Sequence, residues 1–378
     1  MEIERAFGEV LKQERNEKSL SQEELAHFSD LDRTYISMLE RGKRQPSLKT
    51  IFMLARRSAM KKVKLDDVAK VAGVSPTTVS RVLNDRGYIS EKTRKKVNDA
   101  IKELNYFPNE IARSLFVNKT FLIGVIFPTT VHPFFGELIF HIESMCELFG
   151  YKVLLCNSQG REDKEKAYLK MLQSHQVDGI IAGAHNRGIE EYNQPGLALV
   201  GIDRYLAENV PVVSSDNYSG GKQATELLVS KGCKKIINIH GTMALETPAN
   251  LRRVGYESVM KKHGLSPLSY EGDGIIEEVF DKIPNVDGIF ASDDYIASNV
   301  IREAKQRNIR IPEDLKVVGY DGTDATRRLL PELTTIQQPI RDIAESAVHL
   351  LIRQINDISE SIPLETVLPI KLIENDTT

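Results

Sequence analysis

The sequence predicts an α/β protein in which all-α helix-turn-helix heads precede a two-lobed, doubly wound α/β body, and three observations carry that expectation. Residues 65–115 hold short amphipathic segments joined by a glycine turn. From Phe121 onward, short runs of Val, Ile and Leu alternate with amphipathic stretches, the pattern of parallel strands buried on both faces. Charge divides at the same place: residues 1–118 carry 23 Lys and Arg against 17 Asp and Glu, and the remainder carries 27 against 36. A basic front on an acidic body suits a chain that meets a polyanion at one end only.

Taken in order, residues 1–59 form a first unit. Phe7, Val10 and Leu11 begin an amphipathic helix, and Ser21 with Glu24 three residues on makes a capping box for the next. The stretch SLSQEELAHFSDLDRTYISMLERGKRQPSLKTIFMLA resembles the Cro and lambda-repressor (XRE) type of helix-turn-helix, with SQEELA as first helix and DRTYISMLERG as reading helix. That resemblance implies that Asp32, Arg33, Thr34 and Ser37 face DNA and that Lys43 and Arg44 meet phosphate. Asp30 stands where that family turns on glycine, and the last of its usual five helices is cut short. Met60 looks like the natural start of a repressor, so the sequence reads as one complete regulator preceded by most of another, whether by natural fusion, by a join in the gene model or by engineering.

Residues 60–107 form a second head. Leu65, Val68 and Ala69 face inward on a short helix that stops at Gly73. Ser75 is an N-cap and Pro76 takes the first helical position, where its missing amide hydrogen costs nothing. Val79, Val82 and Leu83 share the core face, while Thr77, Thr78, Ser80 and Arg81 present hydrogen-bonding groups on the other. A third helix from about Glu91 to Leu104 turns Val97, Ile101 and Leu104 inward and Lys92, Arg94, Lys95 and Lys96 outward. Two short helices on a glycine turn, with a polar second helix and a basic third, describe a major-groove reader.

DVAKVAGVSPTTVSRVLN, followed by KTRKKVNDAIKELNYFPNEIARSL, resembles the DNA-binding head of the lactose/galactose (LacI/GalR) repressor family. The resemblance places Pro76, Thr77 and Arg81 on base-reading positions and leaves Ser75, Thr78 and Asn84 to phosphates or the turn. An arginine fork on guanine supplies about 1 to 3 kcal/mol of discrimination. Residues 108–120 then form a hinge. Asn109 can cap a single turn with Ile111, Ala112 and Leu115 on one side, too short to be helical alone in water. By resemblance it folds where two copies meet over the minor groove, with Leu115 wedged between bases, Ala112 in the groove and Arg113 beside it.

In the body, residues 121–378, the runs FLIGVIF, YKVLLCN, DGIIAG, LALVGID, KKIINIH, DGIFAS and LKVVGYD predict strands of two doubly wound lobes with a cleft between them. Ligands of such folds sit beyond the carboxyl ends of the strands. The candidates there are Pro128, Thr129, Phe134, Phe135, Asn157, Ser158, His185, Asn186, Asp203, Arg204, Ser292, Asp293 and Asp321. Aromatic faces mixed with carboxylates and amides suit a sugar, whose C–H faces stack and whose hydroxyls need paired donors and acceptors.

This body resembles the effector domain of the same repressor family, related in fold to periplasmic sugar-binding proteins. ARSLFVNKTFLIGVIFPT, VVSSDNYSGGKQA, IFASDDYIA, IPEDLKVVGYDGT and LTTIQQP look closest to sucrose operon repressors. The resemblance assigns Arg252 and Asp321 to the effector, holding it from opposite sides, with Phe134 and Phe135 at the cleft mouth and Ser292 with Asp293 as a polar corner; Asp203, at the end of the run LALVGID, joins them by its strand-end position. It implies a homodimeric repressor of sugar-utilisation genes on a palindromic operator, released by sucrose, fructose or a phosphate of either. The rival is a global catabolite regulator of the same family that answers to a phosphorylated partner protein.

Other classes fit less well. Asp203, Asp293 and Asp321 could in principle pair for glycoside hydrolysis, but there is no GxSxG, P-loop or HExxH, and no catalytic residue is assigned. Cys146, Cys156 and Cys233 are too few and too scattered for a disulfide framework or zinc site, and the eight histidines have no metal spacing, so no metal or cofactor is expected. The charged amino terminus has no signal core, and no run reaches the roughly 18 apolar residues of a membrane span, which points to the cytoplasm and away from membranes. ENDTT ends the chain without a heptad segment, favouring a dimer over a tetramer.

Overall fold

Cap chemistry sets the helices of the chain's first unit. The computed structural model describes all residues except 1–2, 18–19, 30, 48–49, 52, 55–62, 85, 107–118, 175–176, 184–188, 194–195, 197, 242–246 and 358–360. Contacts divide the chain into residues 1–110 and 111–378. In the first unit, α1 (Ile3–Glu17), α2 (Gln22–Ser29) and α3 (Arg33–Glu40) close over Leu25, Ala26, Ile36, Leu39 and Leu54. The expected capping box is present: the Glu24 amide donates to Ser21 Oγ at 3.1 Å, and the Ser21 amide donates to Glu24 Oε2 at 2.8 Å. Arg15 reaches from α1 to Glu40 at 2.6 Å, and Gln22 donates to the same carboxylate at 2.7 Å.

The second head is α4 (Leu65–Ala72), α5 (Pro76–Leu83) and α6 (Glu91–Glu103) around Val68, Val79, Val82, Val97 and Ala100. Gly73 ends α4 in the left-handed region at φ 65°, where a Cβ would be strained. Ser75 accepts from the Thr78 amide at 3.2 Å, the cap the sequence predicts, and Ser90 accepts from the Thr93 amide at 3.3 Å, so both following helices are side-chain capped.

The second unit holds two six-stranded sheets. The first is built from β1 (Leu122–Phe127), β2 (Lys152–Asn157), β3 (Gly179–Ala182), β4 (Leu199–Ile202), β5 (Val212–Ser215) and β11 (Glu365–Leu368), in the order β11-β5-β4-β3-β1-β2. The second is built from β6 (Ile236–His240), β7 (Leu268–Glu271), β8 (Gly288–Ala291), β9 (Lys316–Asp321), β10 (Thr334–Gln337) and β12 (Lys371–Ile373), in the order β12-β10-β9-β8-β6-β7. All pairings are parallel save β10 with β12. The chain crosses between sheets three times, after β5, after β10 and between β11 and β12. Strand β2 departs from the expected double burial: at the sheet edge, Leu154 and Leu155 are exposed.

The lobes repeat one local device. Asp178 in VDGI accepts from the Thr120 and Phe121 amides at 2.7 and 2.9 Å, and Asp287 in the second VDGI accepts from the Lys234 and Lys235 amides at 2.8 Å each. Each carboxylate thereby fixes the start of the strand beside it. Helices α7 (Pro133–Leu148) and α14 (Ile340–Ile355) supply the first lobe's core, with Leu138, Ile142, Ala347 and Leu351 fully buried. In the second lobe, α9 (Asn217–Ser230) lies against α10 (Leu251–Lys262), an approach only glycine permits: a Cβ on Gly221 would stand 1.9 Å from the Arg252 carbonyl oxygen. SGGKQA is therefore a helix start, as expected, and its glycines set the position of Arg252.

Candidate functional site

On the second head, the side chains expected at DNA separate into two kinds. Pro76, Thr77 and Arg81 are exposed on α5. Ser75 and Thr78 cap the helix, their hydroxyls 2.9 Å apart, and Asn84 Nδ2 donates to the Ser80 carbonyl at 2.9 Å, so Asn84 closes the helix end. On the first head, Arg33, Thr34, Lys43 and Arg44 are exposed and Ser37 is half-buried, while Asp32 accepts from the Thr34 amide at 2.6 Å as N-cap of α3. Ala112, Arg113 and Leu115 of the hinge lie outside the described residues, as do Asp30, Met60, His185 and Asn186.

The second unit contains a cleft of about 230 Å³ lined, among others, by Phe134, Phe135, Asp203, Arg252, Ser292, Asp293 and Asp321. All seven side chains expected at an effector are thus brought together. Phe134 is only 6% exposed and belongs mainly to the first-lobe core, whereas Phe135 packs on Phe127 at 5.3 Å between ring centroids and borders the cleft. Asp203 follows β4 with a left-handed φ of 49°, and Asp321 ends β9 at φ 113°, a strained conformation for a non-glycine residue.

Arg252 is the centre of this arrangement. Its Nε donates to Asn217 Oδ1 and its Nη1 to the Ser292 carbonyl, each at 2.7 Å, and the guanidinium lies 3.7 Å over the Tyr320 ring. Asp321 Oδ1 stands 3.7 Å from Nη1 and Asp203 Oδ2 stands 3.9 Å from Nη2. The expectation that Arg252 and Asp321 grip a ligand from opposite sides is corrected here. Both belong to the second lobe, on α10 and β9, and the carboxylate facing Arg252 from the first lobe is Asp203. The reason is topological: the cleft lies between two separate sheets, and α10 packs on the same sheet that contains β9.

The polar corner is also divided. The Ser292 hydroxyl donates to the Ile239 carbonyl at 3.0 Å, leaving its own carbonyl to hold Arg252, and Asp293 caps α12 (Asp294–Gln306) by accepting from the Ile296 amide at 2.7 Å. Beneath lies Asp294, which accepts from the Thr335 hydroxyl at 2.6 Å and the Gly322 amide at 2.8 Å. Burial pushes the Asp294 carboxyl up to about 8, with the Asp321 charge adding to it. Burial also pushes Asp321 up to about 6, against the lowering effect of Arg252. For Asp203 burial again raises the pKa, opposed by Arg252 and Arg204.

Of the residues at the site that escaped the sequence reading, three tie its parts together. Asn217 is 1% exposed and joins both lobes, accepting from Arg252 and donating to Asp203 Oδ1 at 3.2 Å. Gln338, at the second crossing, accepts from the Ser215 hydroxyl at 2.8 Å and donates to Asp321 Oδ1 at 2.7 Å. His132 lines the cleft, its ring 5.8 Å from Phe135 in the first lobe and 6.3 Å from Tyr295 in the second. The usable signal was position: each lies at a crossing or just before a helix. Among the described residues there is no cluster of three or more acidic, histidine or cysteine side chains able to hold a metal, and no helix long and apolar enough to cross a membrane.

Three family descriptions match the chain: helix-turn-helix over residues 11–57, bacterial regulatory proteins of the lacI family over 64–109, and a periplasmic binding protein-like domain over 225–378. The sucrose operon repressor of Streptococcus mutans is 46% identical over 318 residues, covering 83% of this chain and 99% of its own. The lac repressor dimer bound to operator and the anti-inducer ONPF superimposes with a TM-score of 0.75 at 26% identity, over 84% of this chain and 99% of that one. A periplasmic binding protein/LacI transcriptional regulator from Alkaliphilus metalliredigens, complexed with D-xylulofuranose, gives 0.62 at 35% identity over 68% and 98%.

Proposed function

The chain belongs to the LacI family of bacterial regulatory proteins and is a sugar-responsive transcriptional repressor, and from that premise we propose how its parts divide the work. Two copies present their second heads to a palindromic operator, with Thr77 and Arg81 on base edges and Pro76 shaping the helix start. Ser75, Thr78 and Asn84 keep that helix in shape beside the phosphates. Ala112, Arg113 and Leu115 take the bent minor groove. The effector is sucrose, fructose or a phosphate of either, a choice supported by the Streptococcus mutans relative and by a cleft that sets aromatic side chains beside carboxylates and a guanidinium.

One observation carries the effector reading: the buried guanidinium of Arg252, fixed from behind by Asn217 and Ser292 and flanked by carboxylates of both lobes. A donor so preorganised spends little entropy when a hydroxyl replaces a neighbouring carboxylate contact. A sugar bridging Asp203 in one lobe and Asp321 in the other favours one lobe arrangement over the alternatives, and only such differential binding can shift the operator-binding state. Operator must then weaken sugar binding by the same factor.

Calorimetric titration of the full chain with sucrose, fructose and their phosphates tests this. One of them saturates the parent and Arg81→Ala equally and fails to bind Asp321→Ala. Binding of none, or equal binding by Asp321→Ala, would refute the assignment.

A further inference from the structure

The first head is surplus to the repressor that follows it. The Streptococcus mutans relative aligns over 99% of its own length while leaving about a sixth of this chain unmatched, and the second head with the body suffices for that length. Yet residues 3–54 have their own closed core around Ile36 and Leu39, and a buried ion pair between Arg15 and Glu40 ties α1 to α3. Gly8 allows α1 to touch the end of α3, since a Cβ there would stand 2.4 Å from the Leu39 carbonyl oxygen. The unit is built, and its sequence is divided by charge. Residues 1–30 carry four Lys and Arg against eight Asp and Glu, and residues 31–60 carry seven against two. One of those two acids, Glu40, is the partner buried against Arg15.

The basic half is the half that holds α3. Arg33 and Thr34 at its start, and Arg41, Lys43 and Arg44 just beyond its end, are exposed, and among the described residues these cations make no ion pair. That is the layout of a helix whose amino-terminal side chains reach base edges while the following cations meet phosphates. Residues 1–60 sum to a net charge of only +1, so long-range attraction to DNA is slight and such a head holds duplex weakly alone. It is not alone in this chain. From Leu54 to Val63 are nine residue steps, a covalent reach of at most about 32 Å at roughly 3.3 to 3.6 Å each. One turn of duplex is about 34 Å.

We propose that the chain reads a composite operator. Each LacI-type half-site is flanked, within about one helical turn, by a second short motif of duplex DNA taken by the first head, with Arg33, Thr34 and Ser37 on base edges and Lys43 and Arg44 on phosphates. The second head, docked, holds the first at a high local concentration, which turns a weak reader into one that multiplies affinity on the order of 10²-fold or more. A consequence follows for control. Because the first head depends on the second for its local concentration, a sugar that releases the second head releases the first as well. This rests on the operator-reading role of the second head proposed above.

The test is selection of a random duplex library about 60 base pairs long, enough for two half-sites with flanks, by the full chain, by Arg33→Ala/Lys43→Ala and by Arg81→Ala. Both altered residues of the double variant are exposed, and thermal unfolding of each variant checks that its fold is kept. The expected result is a palindrome with a second motif at fixed spacing on each side. The double variant keeps the palindrome, loses the flanking motif, and loses about a hundredfold in affinity for the flanked operator but none for the bare palindrome. A palindrome with random flanks, bound alike by parent and double variant, overturns the composite operator and leaves the repressor reading intact. Flanking motifs without a palindrome, unaffected in Arg81→Ala, overturn both. With the calorimetrically identified sugar added, footprints at palindrome and flank vanish together; a flank footprint that outlasts the central one overturns the shared control.

Discussion

Arg252→Ala removes one cation from between two buried carboxylates. The side chain gives up hydrogen bonds of 2.7 Å to Asn217 and to the Ser292 carbonyl, the face of Tyr320, and the counter-charge of Asp203 and Asp321. Breaking a buried ion pair by deleting one partner costs about 3–5 kcal/mol, because the other charge stays buried without compensation. Here the remaining groups can escape by taking up protons. Burial already holds Asp203 and Asp321 above the ordinary carboxylate range, and Arg252 is what opposes it. A carboxyl with a raised folded pKa contributes stability below its unfolded pKa and loses it as pH rises through the folded value. In the parent that loss for Asp321 ends near 6; in the variant both values climb further, so the loss continues to higher pH. Urea unfolding of parent and variant should therefore differ least near pH 5 and by the full few kcal/mol near pH 8. The folded variant should still bind operator and ignore sugar. A stability gap that is constant or widens toward acid would refute the electrostatic account, and a parental sugar response would refute the site.

Three further outcomes are expected. Asp294→Asn replaces a carboxyl that burial raises to about 8; the parent loses stability as pH rises from about 4 through that value, and the variant's stability should be flatter across about pH 4 to 8 by denaturant titration. Gly221→Ala drives a Cβ to 1.9 Å from the Arg252 carbonyl, so α9 and α10 must part; a loss of about 1–3 kcal/mol or more in thermal unfolding, with weakened sugar binding in calorimetry, should follow. Arg81→Ala leaves sugar binding unchanged and costs about 1–3 kcal/mol of discrimination at one base position, read by binding to single-base operator variants.

Much of this was legible because the local chemistry is local. The capping box at Ser21 and Glu24, Ser75 with Pro76, and the apolar runs that became β1, β3, β4, β6, β8 and β9 are each specified within a few residues. Strands β5, β7, β10, β11 and β12 had no such signature. β10, for instance, buries Thr334 and Thr335 completely or nearly so by satisfying their hydroxyls within the fold, which a polar sequence cannot announce. The cleft was legible as a set of strand ends but not as a geometry. Which lobe each end belongs to depends on three crossings, and Arg252 and Asp321 fell on the same side for that reason. Asn217 and Gln338 were missed because their importance lies in partners 35 and 17 residues away, Arg252 and Asp321.

The central claim is that a sugar in this cleft releases the chain from its operator. Fluorescence polarisation of a labelled palindromic operator with the full chain, titrated with sucrose, fructose and their phosphates, measures it directly. One sugar should lower operator affinity in the parent by a factor equal to the one by which operator lowers sugar affinity, and should leave Arg252→Ala bound. Operator binding that no sugar changes, or that changes equally in parent and Arg252→Ala, would contradict it.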